Sequence, residues 1–159
     1  AAGRVQLPRR IVALEGGMTS SDFLSVGAAL YPVPEVAVEG WLGPTALWGT
    51  AGIAVAYTHP VVSWRQRSRS LLGGVAGVAQ LRVGAGLGLK TFSSCVFFCV
   101  DGDAVDAFVR VEAIKFFAAH VGGQMVVDAG VSRIDPDDAA AEAELYPFLG
   151  LRLGLVFGS

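Results

Sequence analysis

The chain has 159 residues, 53% hydrophobic and only 16% charged, with mean hydropathy +0.55, formal net charge -2 and a pI near 5.6. That length fits a single domain over 1–159, but an ordinary soluble domain carries about 25% charged residues, so an unusual amount of apolar surface has to be accommodated. The absence of a broad basic field argues against nucleic acid as a partner, and 21 glycines against only 7 prolines, with no low-complexity tract, argue against disorder.

The opening Ala1-Ala2-Gly3 carries no Met and fits a mature product cleaved at a small-residue site. From there period two dominates. A strand is predicted over about 9–18, and a second over 23–31, where Leu24, Val26, Ala28 and Leu30 alternate with Ser25, Gly27, Ala29 and Tyr31. A third, 35–43, sets Val36, Val38 and Leu42 against Ala37, Glu39 and Trp41. The fourth, 46–57, is ambiguous in facing because both of its rows are small or apolar. Turn signals separate these strands at Thr19-Ser20-Ser21-Asp22, Tyr31-Pro32-Val33-Pro34 and Gly43-Pro44-Thr45.

The stretch THPVVSWRQRSRSLLGG, within 58–75, reads either as a long turn with Arg65, Arg67 and Arg69 solvated or as an extra short strand. A fifth strand is predicted over 72–91, where Leu81, Val83, Ala85, Leu87 and Leu89 alternate with Arg82, Gly84, Gly86, Gly88 and Lys90. CVFFCV follows, and its Cys95 and Cys99 form either a small-loop disulfide or two apolar thiols; further ligands for zinc are not evident nearby. Strands over 104–115 and 121–133 place Phe108, Arg110, Glu112 and Ile114, then Gln124, Val126, Asp128 and Gly130, opposite rows of Ala, Val and Met. After an acidic loop at 135–144, a last strand spans 146–157. Eight strands result, or ten if 58–75 and CVFFCV each add one.

Side-chain size then decides which row faces in. The charge-bearing row is rich in glycine and alanine, which suit a narrow interior; the other row is Leu, Val, Ile and Phe, which suit hydrocarbon. The expected fold is an all-β, antiparallel up-and-down transmembrane β-barrel, since closure leaves no unpaired backbone edge in lipid. Glu15, Glu39, Glu112 and Asp128 would pair inside it with Arg82, Lys90, Arg110 and Arg152, because an unpaired buried charge is costly. Tyr31, Trp41, Trp48, Tyr57, Trp64, Tyr146 and Phe157 fall near strand ends and are expected at the two membrane interfaces. Two rivals are the solvated face of a soluble sheet and a single transmembrane helix over the charge-free segment 40–63, the latter interrupted by Pro44, Pro60 and several glycines.

LGLRLGLVF, with Leu149, Leu151, Leu153, Leu155 and Phe157 in one row as the lipid-facing terminal strand, resembles the terminal strand of small bacterial outer-membrane β-barrel proteins. Here Gly158 and Ser159 follow the aromatic, whereas the family pattern ends on it. The resemblance implies location in the bacterial outer membrane and termini on the periplasmic side. It also implies outward loops near 19–22, 43–45, 92–103 and 134–145, and outer-membrane lipid as the surroundings, with other envelope proteins engaged through the loops.

Chemistry is hard to find. His59 and His120 fall at predicted turns outside any serine hydrolase pattern, Asp101-Gly102-Asp103 and Asp135-Pro136-Asp137-Asp138 lack EF-hand spacing, and Gly84-Ala85-Gly86-Leu87-Gly88 lacks the dinucleotide fingerprint. No catalytic residue, cofactor or metal is expected. The favoured reading is a structural or interaction barrel of the envelope, with a small pore or apolar-ligand barrel as the alternative and a lipid-modifying enzyme behind both.

Overall fold

A computed structural model describes residues 7–19, 24–43, 48–66, 77–95, 99–136 and 142–159. Eight strands form one closed barrel in sequence order: β1 (Arg10–Thr19), β2 (Ser25–Val33), β3 (Val36–Leu42), β4 (Trp48–Gln66), β5 (Gly77–Cys95), β6 (Cys99–Phe116), β7 (Val121–Pro136) and β8 (Glu144–Gly158). Every neighbouring pair is antiparallel, and β1 closes on β8 through pairs running from Arg10–Gly158 to Thr19–Gly150. The architecture is therefore an all-antiparallel up-and-down β-barrel, without helix among the described residues. The charge-free segment 40–63 contributes to β3 and β4 rather than to a helix.

Antiparallel order puts the strand ends Arg10, Val33, Val36, Gln66, Gly77, Phe116, Val121 and Gly158 at one end, called here the terminal end. Thr19, Ser25, Leu42, Trp48, Cys95, Cys99, Pro136 and Glu144 lie at the other, the loop end.

Several boundaries differ from those expected of the sequence. The segment 58–66 is the second half of β4, not a turn or a separate strand, and Pro60 sits where the β4–β5 register shifts between Pro60 and Val62. A proline has no N–H for the ladder, so a bulge is where a strand tolerates it. Likewise 92–95 and 99–103 belong to β5 and β6, which pair up to Cys95–Cys99, so there is no 92–103 loop and no ninth or tenth strand among the described residues. The β2–β3 turn is confined to Pro34 and Glu35. The expected turns at 20–22 and 44–45, and the first residues of the predicted fifth strand at 72–76, lie outside the described residues, as do the side chains of Trp48, Cys95 and Cys99.

Alternation sorts the side chains into two unlike surfaces. The outer wall carries Leu14, Val26, Leu30, Ile53, Val55, Leu87, Leu89, Val109, Leu149 and Leu153, all well exposed. The interior is uneven. Its β1–β4 side is lined by Ala13, Ala29, Ala37, Ala54 and Ala56, all buried, while β6–β8 send in Phe108, Arg110, Glu112, Ile114, Phe116, Val126, Asp128, Phe148 and Val156. Small residues on one half leave the volume that long side chains from the other half fill.

Glycine is used differently on the two surfaces. A Cβ on Gly84 would collide with the carbonyl oxygen of Tyr57, and one on Gly130 with that of Ala107, whereas one on the exposed Gly40 would meet nothing nearer than a backbone oxygen at 3.9 Å. Gly84→Ala and Gly130→Ala are each expected to destabilise the barrel by about 1–3 kcal/mol through overpacking. Gly40→Ala should be neutral or stabilise by up to about 1 kcal/mol, Gly being a poor strand former. Urea midpoints of the three variants in detergent check this.

Candidate functional site

The polar chemistry of the molecule is concentrated in the lumen. Five carboxylates (Glu15, Glu39, Asp106, Glu112, Asp128) and five cations (Arg10, Arg82, Lys90, Arg110, Arg152) face inward among the described residues, so the formal charge of the interior sums to zero. They form three clusters along the barrel axis.

The middle cluster spans the barrel. Arg110 on β6, 1% exposed, reaches across to Glu39 on β3, donating from both terminal nitrogens, while its Nε and Nη2 donate to Asp128 at 2.7 and 2.8 Å. Arg152 on β8 closes the ring: Nη1 donates to Glu15 at 3.0 Å and Glu39 at 2.9 Å, and Nη2 to Asp128 at 2.7 Å. Gln124 donates to Glu15 and accepts from the Tyr31 hydroxyl at 3.2 Å. Both guanidiniums are used as forks, the geometry that makes Arg suited to such pairs.

Toward the terminal end, Glu112 accepts from Arg10 at 2.8 Å and from Thr58 at 3.2 Å, and Arg82 lies 3.7 Å away. Arg82 and Arg10 also donate to the Pro34 carbonyl at 2.9 and 3.2 Å, tying the β2–β3 turn to the interior. The Arg10 guanidinium stacks 4.0 Å from the Tyr31 ring centroid. Toward the loop end, Lys90 pairs with Asp106 at 3.2 Å and sits 5.2 Å from the Phe148 centroid. There Phe108 and Phe148 pack at 5.9 Å, and together with Trp41 they line a cavity of about 20 Å³ floored by the Arg110–Arg152 layer. A space of that size holds a water molecule and little more. Asp106 Oδ1 and Ser132 Oγ, directly opposed in register, are buried without a hydrogen-bond partner.

All eight charged residues singled out from the sequence thus lie in the lumen, and the structure distributes them over all three clusters. Arg10, Asp106, Tyr31, Thr58 and Gln124 complete the network and were not singled out. Asp106 shares the even row of β6 with Arg110 and Glu112, so its parity pointed inward. Arg10 did not, because the β1–β8 register shifts between Arg10 and Val12 and reverses its facing. Two aromatics expected at an outer interface are corrected: Tyr31 is buried in the lumen and Trp41 packs against the interior cluster, whereas Tyr57, Trp64 and Tyr146 are exposed. Of the terminal row, Leu149, Leu151, Leu153 and Leu155 are exposed, and Phe157 is half-buried between Val12 and Val121 in the ladder.

His59 is exposed on β4 opposite Val83, and His120 is exposed with Nδ1 3.1 Å from the Gly158 carbonyl. His59 is on the opposite side of the wall from its neighbour Thr58, which donates to Glu112, so it does not enter the lumen, and the chemistry of the buried groups is ion pairing. With that geometry, the protein is defined structurally as a small closed β-barrel with a neutralised, ion-paired interior and an apolar wall. No family model, curated protein or solved structure matches the chain.

Removing Arg110 would leave Glu39 and Asp128 buried with one fewer partner each. Arg110→Met is expected to cost about 3–5 kcal/mol, the scale for breaking a buried pair from one side. Arg110→Met combined with Glu39→Gln should cost less than the sum of the single changes, since the second removes the charge the first orphans. Equilibrium unfolding of the four corners of this cycle in detergent measures the coupling.

Proposed function

We propose that this chain is an integral outer-membrane β-barrel of a bacterial envelope, acting as a structural or interaction component rather than a channel or an enzyme. The observation that carries the reading is the inverted polarity: ten charges point into the barrel while leucine, isoleucine and valine cover the outside. Soluble monomers rarely expose contiguous apolar patches beyond a few hundred Å². On β6 the outward residues between Asp103 and Lys115 are Val105, Ala107, Val109, Val111 and Ala113. Ten residues of strand at ~3.3 Å each, tilted by ~40°, give an apolar band of about 25 Å, matching the hydrocarbon a barrel wall must cover. The outer-membrane assignment draws in addition on the LGLRLGLVF strand.

The scaffold reading over the pore rests on the middle cluster. Arg110 pairs with its cross-strand neighbour Asp128 and reaches across to Glu39 on β3, and Arg152 on β8 joins both carboxylates, so the lumen is crossed at mid-height by ion pairs. In planar bilayers the protein is expected to give no steady conductance above baseline.

Depth along the wall supplies the sharper test. Leu153, 59% exposed, lies in the middle of the apolar band; Leu145, 70% exposed, is at the loop end opposite Arg133. Leu153→Arg should cost roughly 2–4 kcal/mol of folding into bilayers, and Leu145→Arg only about 0–1. The readout is the yield of heat-modifiable, vesicle-inserted protein on a gel run with and without boiling. Equal tolerance of both variants, with the chain remaining soluble without detergent, would overturn the membrane reading.

A further inference from the structure

Outside the lumen, the charges of the described residues fall at the two ends. Among the described residues, the loop end presents Asp103, Asp135, Glu142 and Glu144 against Arg133. The terminal end presents Arg9, Arg65 and Lys115 against Glu35. The two ends of the barrel therefore carry opposite signs.

The basic end also has the right side chains beside its charges. Trp64, Ala79 and Lys115 stand in one cross-strand row, with Trp64 45% exposed and Ala79 buried between them. Phe117, also 45% exposed, follows β6 immediately, and Arg65 adjoins Trp64 in sequence. Aromatic rings that settle at the headgroup level, next to guanidinium and ammonium groups, form a surface suited to lipid phosphates. Arg9, exposed just before β1, is tethered at the same end by its Nη2, which donates to the Pro32 carbonyl at 2.8 Å.

We infer that the terminal end is a collar for anionic phospholipid headgroups, selecting them over zwitterionic ones in the leaflet it occupies. This rests on the membrane reading above. Arg9, Arg65 and Lys115 supply the positive charge, Trp64 and Phe117 set its depth, and the acidic loop end repels the same headgroups from the opposite leaflet.

The test uses the full chain in bilayer nanodiscs containing equal amounts of phosphatidylglycerol and phosphatidylcholine, with retained lipids counted by native mass spectrometry. The wild-type protein should retain phosphatidylglycerol preferentially. Arg65→Gln alone should lower that preference, by up to roughly fivefold for a fully engaged residue, and Arg9→Gln/Arg65→Gln/Lys115→Gln should abolish it. Asp103→Asn/Asp135→Asn at the other end should leave it intact. Equal retention of the two lipids by the wild-type protein, or a triple variant that keeps the preference, overturns the collar while the membrane reading stands. A chain that does not enter the nanodiscs overturns both.

Discussion

The guanidinium of Arg110 is the constraint on which the interior depends. It starts on β6 and ends on β3, three strands away around the barrel, so it can satisfy Glu39 only when the sheet has closed. Two carboxylates and a second arginine are then fixed by the same fork, because Asp128 and Arg152 complete hydrogen bonds that Arg110 and Glu39 leave open. Desolvating such groups costs several kcal/mol each, and an incomplete set would be worse than an apolar filling. The network thus contributes less to net stability than to uniqueness: a barrel shifted in register would bury the same charges without their partners.

That fork needs room, and the alanines provide it. Ala37, Ala54 and Ala56 on β3 and β4 leave the cross-section open where Arg110 and Phe108 enter from β6. Glycines extend the logic to the wall itself. A Cβ at Gly86 would run into the Phe108 ring and one at Gly52 into Trp41, so these backbones lie close beneath large inward side chains. Size, as much as hydrophobicity, is what the interior encodes: alanines line much of the β1–β4 side, where Arg10, Glu15, Tyr31 and Glu39 are the long exceptions, while Phe108, Arg110, Ile114, Phe116 and Phe148 enter from β6 and β8.

Much of this is legible in the sequence wherever a strand keeps strict parity. On β6, Phe108, Arg110, Glu112 and Ile114 fall in one row, and on β8 Leu149 to Leu155 fall in the other, so facing follows from counting by two. Legibility fails where parity breaks or carries no contrast. The irregularity after Arg10 turns that side chain inward, and the one after Pro60 brings Ser63 into the inward row opposite Gln80. His59-Pro60 looks like a turn because the bulge that accommodates proline has no signature of its own. CVFFCV has apolar residues in both rows, so the ends of β5 and β6 could not be seen. Tyr31 and Trp41 near strand ends resemble interface aromatics until the alanine-lined half of the lumen shows the space they occupy. Which carboxylate meets which arginine depends on strand order around the closed ring, which no local pattern contains.

The distribution of chemistry also says where specificity can reside. The lumen spends its charges on one another, and the remaining cavity above the Arg110 layer is about 20 Å³. The wall is nearly uniform hydrocarbon, which suits a solvent of acyl chains but distinguishes poorly among partners. Among the described residues, the two ends are where exposed charge and aromatic residues combine, and they differ from each other in sign. A barrel built this way has its interior committed to holding itself closed, so any selective contact with lipid or protein falls to the rims. In the membrane proposed for it, the opposite signs of those rims would make its two orientations in an asymmetric bilayer energetically unequal.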